Sequence, residues 1–214
     1  MKVWDSFVRL SHWLVVLLVI SAWLSANFGD AEFKWHSFNG YVLFVLVLSR
    51  VIWAVVGSTT ARFSHFLKSP VEAIAYLRGL IKNNAPEYLG HNPAGGWMVL
   101  LLWLILLSQV ITGLFSSDDI LAEGPLSYRV SSGLVSLMTG WHHLIFDILL
   151  VFVALHLIAV FYHQVIKREK LIQAMFNGKK TNIGKPIRPL ITKPFYRAML
   201  ILGVVSFSFW MILS

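Results

Sequence analysis

Apolar residues run through this chain in five long blocks, separated by polar stretches that carry most of the glycine and proline. The first block opens at Leu10 and lasts to about Phe28, and the others cover about 36–57, 97–115, 141–163 and 195–213. Each is close to the ~20 residues an α-helix needs to cross a hydrocarbon core of about 30 Å. Inside that core only a segment that satisfies its own backbone hydrogen bonds is stable, so the blocks predict helices. The expected fold is an all-α integral membrane protein. It has a four-helix transmembrane bundle, an additional C-terminal transmembrane helix at 195–213 and a cytoplasmic amphipathic helix. The first block is too long for a signal-peptide core and no A-x-A-like cleavage site follows it, so it reads as a retained signal anchor.

The polar connections differ in character. Ser69-Pro70-Val71-Glu72 has the form of a helix start with proline at the first helical position. Val71, Ile74, Leu77, Leu80 and Ile81 follow at helical spacing, with Arg78 and Lys82 elsewhere on the surface, which predicts the amphipathic helix. Gly90 to Gly96, reading G-H-N-P-A-G-G, breaks the chain before the third block. The stretch 116–140 is too long for a tight turn and carries Leu126, Tyr128, Val130, Leu134, Val135 and Leu137, which suits a cap on the bundle or a partner surface. No internal repeat is visible. The chain divides into a transmembrane unit at 1–180 and a basic linker plus fifth helix at 181–214.

Composition narrows the functions. Of 214 residues 57% are hydrophobic and 13% charged, and the mean hydropathy is +0.70, which excludes a soluble domain. The absence of cysteine excludes disulfides, thiolate metal sites, iron–sulfur clusters and covalent haem attachment. The net charge of +8 could point to nucleic acid, but its distribution is that of a membrane topology. Lys2, Arg9, Arg62, Lys68, Arg78, Lys82, Lys167, Arg168, Lys170, Lys179, Lys180, Lys185, Arg188 and Lys193 fall on one side. Asp30, Glu32, Lys34, Asp118, Asp119, Glu123 and Arg129 fall on the other. The basic side is expected to be cytoplasmic, with the N-terminus inside, and the outer side is net acidic.

Against this apolar background the histidines stand out, because intramembrane ionisable groups are costly and usually functional. In the fourth block His142 and His156 are 14 residues apart. That is about 1400° of helical rotation, roughly 40° short of four turns, and about 21 Å of rise. They therefore share a face, one near each membrane surface, whereas His143 is about 140° off that face. By depth His12 lies near the cytoplasmic side with His156, and His36 near the outer side with His142. Two pairs, each with one member on the fourth block, meet the requirement for two bis-histidine haems stacked through a bundle. The plain alternative is that these are interfacial histidines at helix ends. His65, His91 and His163 are expected on solvated surface.

Arg50 follows His36 by 14 residues, so it projects from the same face about 21 Å nearer the cytoplasm. There its guanidinium is placed to pair with a haem propionate, or else to snorkel to the interface. Arg9, one turn before His12, is a second candidate for a propionate. Gly40, one turn after His36, leaves room for a macrocycle edge or for helix packing. Asp147 and His143 are candidate proton-handling groups in the outer half of the fourth block.

Four stretches carry a family resemblance: W-D-S-F-V-R-L-S-H-W at 4–13, H-S-F-N-G-Y with L-S-R-V-I-W at 36–53, Y-L-G-H-N-P-A-G-G-W-M at 88–98, and H-H-L with A-L-H at 142–156. Together they resemble the bacterial cytochrome b561 family, which merges with the b-type cytochrome subunits of nickel–iron hydrogenases and formate dehydrogenases. The resemblance implies a four-helix core in the inner membrane with two non-covalent b haems. Their axial ligands carry over to His12, His36, His142 and His156. Position 143 departs from the pattern, since relatives often carry an acidic residue there, so both His142 and His143 stay in view as the ligand. The resemblance also implies quinone as the membrane partner. The expected function is transmembrane electron transfer between the quinone pool and an outer-side redox partner, a soluble cytochrome or a hydrogenase-like subunit. A self-sufficient superoxide:quinone oxidoreductase is the alternative. A cofactor-free transporter is disfavoured by the lack of broken helices and inverted repeats.

Overall fold

A computed structural model describes residues 1–29, 34–82, 84–118, 122–180 and 190–214. Asp30, Glu32, Asp119, Lys185 and Arg188, all part of the charge pattern above, lie outside the described residues. Among the described residues five helices are long and apolar enough to cross a membrane. They are α1 (Ser6–Phe28), α2 (Lys34–Val56), α5 (Pro93–Leu114), α6 (Ser132–Phe161) and α8 (Phe195–Leu213). Three shorter helices connect them: α3 (Phe63–Phe66), α4 (Pro70–Ile81) and α7 (Leu171–Asn177).

Side-chain caps start α1, α4, α5 and α6 by satisfying amide donors that have no intrahelical partner. Asp5 accepts from Val8 N at 2.8 Å, Asn92 accepts from Gly95 N at 2.7 Å, and Ser69 and Glu72 form a reciprocal capping box. The last confirms the helix expected after Ser69. Its buried side differs from the predicted stripe: Ala73 and Tyr76 face inward, while Val71, Ile74, Leu77 and Ile81 are exposed. A helix that shows both apolar residues and Arg78 to its surroundings suits the interface of a bilayer.

The stretch 116–140 is not all connection. α6 begins at Ser132, well before the apolar block at 141, because Ser131 caps it and no proline interrupts 132–140, Gly133 and Gly140 being carried within the helix. Ser136 and Thr139 lower the hydropathy there at only a small cost in helix propensity. The part before α6 does cap the bundle, since Leu126 is buried with Leu114 and Phe209. At its other end α6 runs on through a π-helical turn, Tyr162–Ile166.

The helices pack as two pairs, α1 with α2 and α5 with α6, joined where α2 meets α5. The fifth helix, α8, lies along α2, with the Phe209 ring 4.7 Å from Phe44 and 5.8 Å from Tyr41. Three buried clusters follow one another along the bundle. Val3, Trp4, Phe7, Val8, Leu46 and Trp53 fill the end that holds the N-terminus. Val47, Leu106 and Leu149 fill the middle, and Leu114, Leu126 and Phe209 the far end.

Candidate functional site

The two histidine pairs expected from depth come together across helices. His12 of α1 meets His156 of α6 with ring centroids 6.4 Å apart. His36 of α2 meets His142 of α6 at 6.1 Å. A metal about 2 Å from one nitrogen of each ring would separate two imidazole centroids by about 6 Å, so each pair has the spacing of two axial ligands. Among the described residues no three or more His, Cys, Asp or Glu side chains converge as a site for a bare metal ion. Two nitrogens per site suit a metal that brings its own equatorial donors, as a porphyrin does.

Hydrogen bonds select the tautomer at the far-end pair. His36 Nδ1 donates to the carbonyl of Ala22 at 2.9 Å. His142 Nδ1 donates to the carbonyl of Gln109 at 2.9 Å, with the Thr112 hydroxyl 3.3 Å away. An imidazole that donates through Nδ1 keeps the Nε2 lone pair for a ligand. At His142 that lone pair accepts from the Gln109 amide at 3.1 Å, a donor that a metal at Nε2 would displace. His143, by contrast, lies on the exposed side of α6, as does Asp147.

At the other pair His12 Nδ1 is buried and has no hydrogen-bond partner. Arg50 stands near it, only 8% exposed. Its guanidinium carbon lies 5.7 Å from the Phe7 ring and 5.3 Å from Trp103, and its Nη1 is buried and unpartnered. A buried cation with a spare donor is the complement of a carboxylate such as a haem propionate. Arg9 points elsewhere: its guanidinium donates to the main-chain oxygen of Phe176. Around Gly40 an added Cβ would meet nothing within 4 Å, which leaves that side of α2 open. Between the two pairs lies the buried apolar layer of Val47, Leu106 and Leu149; Leu149 is midway between His142 and His156 in sequence.

Of the three histidines expected on solvated surface, His163 is buried and His65 and His91 are only partly exposed. His163 is 5% exposed and bonded through Nδ1 to Glu169 at 3.0 Å. Glu169 also accepts from Lys180 Nζ at 2.9 Å. The His91 ring packs against Trp4 at 4.7 Å and Phe66 at 5.2 Å, and the His65 Nδ1 is shut off from solvent. The reason is tertiary, because the glycine-bearing loop before α5 and the segment after α6 both fold back under the N-terminus. Burial pushes the His91 imidazole down to about 3, helped by the Arg50 charge. Burial alone would raise the Glu169 carboxyl, but bonds from His163 and Lys180 hold it at about 2.

α5 carries Gln109, Thr112 and Gly113, none of which is a histidine or a charge that the depth pattern singles out. The available signal was the polar S-Q-V-I-T-G stretch at 108–113 in an otherwise apolar span.

A family model described as prokaryotic cytochrome b561 matches residues 3–178. The chain is 26% identical to a probable Ni/Fe-hydrogenase B-type cytochrome subunit of Azotobacter chroococcum mcd 1, over 82% of this chain and 86% of that one. Proteins of the same description from Rhizobium leguminosarum bv. viciae and Cupriavidus necator are 24% and 25% identical, covering 83% and 84% of this chain and 87% and 86% of theirs. No solved structure matches the chain.

Proposed function

The chain belongs to the prokaryotic cytochrome b561 family, and from that premise we propose that it carries electrons across the bacterial inner membrane through two b haems. The first relatives are named as hydrogenase B-type cytochrome subunits, which supports membrane electron transfer with haem b as the carrier. In this reading His36 and His142 hold one haem, and His12 and His156 the other. Each haem supplies a one-electron couple whose potential the protein sets through ligands, nearby charge and burial.

The protein's own residues do the rest. Nδ1–H bonds orient His36 and His142 for coordination through Nε2. Arg50 and the open side of α2 at Gly40 receive the periphery of the macrocycles. The layer of Val47, Leu106 and Leu149 excludes water between the two sites. Residues 1–180 form the cytochrome unit, while 181–214 add a basic linker and α8. The N-terminus lies in the cytoplasm, by the distribution of lysine and arginine. Quinone is the membrane partner and an outer-side redox protein the other. The acidic outer residues favour a partner with a basic docking face.

The observation that carries this reading is the centroid spacing of 6.1 and 6.4 Å in two cross-helix histidine pairs. The test is a reduced-minus-oxidised spectrum with haem quantification on the purified chain and on His142→Ala, His143→Ala and His156→Ala. We expect two b haems per chain, loss of one haem in each of the His142 and His156 variants, and full retention in His143→Ala. Wild-type protein that stays haem-free despite adequate haem supply rules the reading out.

A further inference from the structure

Although α5 contributes no member of either histidine pair, its last turns wrap one of them. Three features of α5 converge on the His142 ring. The Gln109 carbonyl accepts its Nδ1–H at 2.9 Å. The Thr112 hydroxyl lies 3.3 Å from the same nitrogen while it donates to the carbonyls of Ser108 or Gln109, so its oxygen is turned to accept. Gly113 gives the ring its room, since a Cβ there would stand 2.9 Å from His142 Cε1 and 3.2 Å from Nδ1. Real Cβ atoms do not approach that closely, and the ring cannot swing aside without losing the bond to Gln109. No such seat exists for His12, whose Nδ1 has no partner.

We propose that Gly113 and Thr112 are positioning residues for His142: the glycine sets where the imidazole plane lies, and the hydroxyl, with the Gln109 carbonyl, sets how much charge it donates to a bound iron. The inference rests on the bis-histidine reading above and names the element that tunes one of its two sites. A ligand imidazole whose second nitrogen is hydrogen-bonded to carbonyl or hydroxyl oxygen is a stronger donor, which favours the oxidised metal. Rotating the ring or weakening that bond must therefore appear in the potential and in the electronic spectrum of that haem alone.

The experiment uses the purified, haem-loaded full chain and the variants Gly113→Ala and Thr112→Val. Gly133→Ala serves as control, because a Cβ at Gly133 meets nothing within 4 Å. Electron paramagnetic resonance of the oxidised protein reports each ferric haem, and a spectroelectrochemical titration reports each potential. His36→Ala identifies which signal belongs to the His36/His142 site. In Gly113→Ala we expect that signal to shift or vanish while the other keeps its position. Thr112→Val, close to isosteric, moves the same haem to higher potential. Gly133→Ala changes neither signal. Wild-type signals and potentials in both Gly113→Ala and Thr112→Val overturn the inference, as does a change confined to the other haem. Should Gly113→Ala fail to fold, the potential of Thr112→Val decides alone. A wild-type chain that binds no haem fails at the earlier step and removes the bis-histidine reading itself.

Discussion

His36 Nδ1 donates to the main-chain oxygen of Ala22, 14 residues earlier on α1, at 2.9 Å. With the bond from His142 to Gln109, both rings of that pair are anchored to backbone carbonyls. Such bonds raise the basicity of a ligating imidazole and stabilise oxidised iron. The haem between His36 and His142 is therefore expected to have the lower of two potentials. His12→Ala, which keeps only that haem, should titrate at the lower wave of the wild type. A single wave at the upper potential contradicts the assignment.

In the proposed arrangement Arg50 stands beside the opposite site. A unit positive charge about 10 Å from an iron, at an effective dielectric constant of about 20, is worth about 1.7 kcal/mol, or about 70 mV in a one-electron couple. It stabilises the reduced form, so Arg50→Gln should lower the upper wave by an amount of that order and leave the lower wave in place. The same redox titration reads it, and an unmoved upper wave removes Arg50 from that haem's surroundings.

Glu169 ties three segments together through His163 and Lys180, and Lys180 also donates to the Tyr88 carbonyl at 2.8 Å. Its folded pKa, at about 2, is below the ordinary value of 4.5. The sign follows: this stabilisation is complete above pH ~4.5 and is lost as pH falls from there towards ~2. Glu169→Gln leaves Lys180, 6% exposed, without its counter-charge. It should cost about 3 kcal/mol at neutral pH and flatten the acid side of the stability profile. Thermal unfolding in detergent between pH 3 and 7, wild type against variant, checks both parts.

Gly178 ends α7 in the left-handed region at φ 77°. A Cβ at this position would lie 2.7 Å from the Trp4 carbonyl oxygen and 3.1 Å from Arg9 Nε. The Gly178 carbonyl also accepts from Val3 N at 2.7 Å, which holds the N-terminal segment down. Gly178→Ala is expected to cost about 2 kcal/mol through the strained dihedral, and more if the segment lifts. Gly203→Ala, in open space on α8, should be neutral or slightly stabilising. Equal melting temperatures for the two variants would count against the staple.

The transmembrane helices were legible because hydropathy over ~20 residues is a strong local signal. Boundaries were less so. The start of α6 at Ser132 was hidden because Ser136 and Thr139 are polar yet compatible with a helix. The matched depths of His12 with His156 and of His36 with His142 were legible, since rise per residue converts sequence position into height in the membrane; that each pair meets at 6.4 and 6.1 Å depends on α1 and α2 packing against α6. The burial of His163 and the partial cover of His65 and His91 were not legible for the complementary reason: outside the membrane nothing in the local sequence says which segment folds over which.

What the chain's sequence determined by itself is what depends on neighbours a few residues away. That covers which segments are helical, how many cross the membrane, the common face of His142 and His156, and the height of each histidine. Tertiary structure decided what depends on residues far apart in the chain. It set Arg50 between Phe7 and Trp103, seated His142 on Gln109, Thr112 and Gly113, and closed the Glu169 network with Lys180 and the Tyr88 carbonyl. Helical periodicity sets a side chain's direction about its own axis, whereas the partner it meets is set by how whole helices pack.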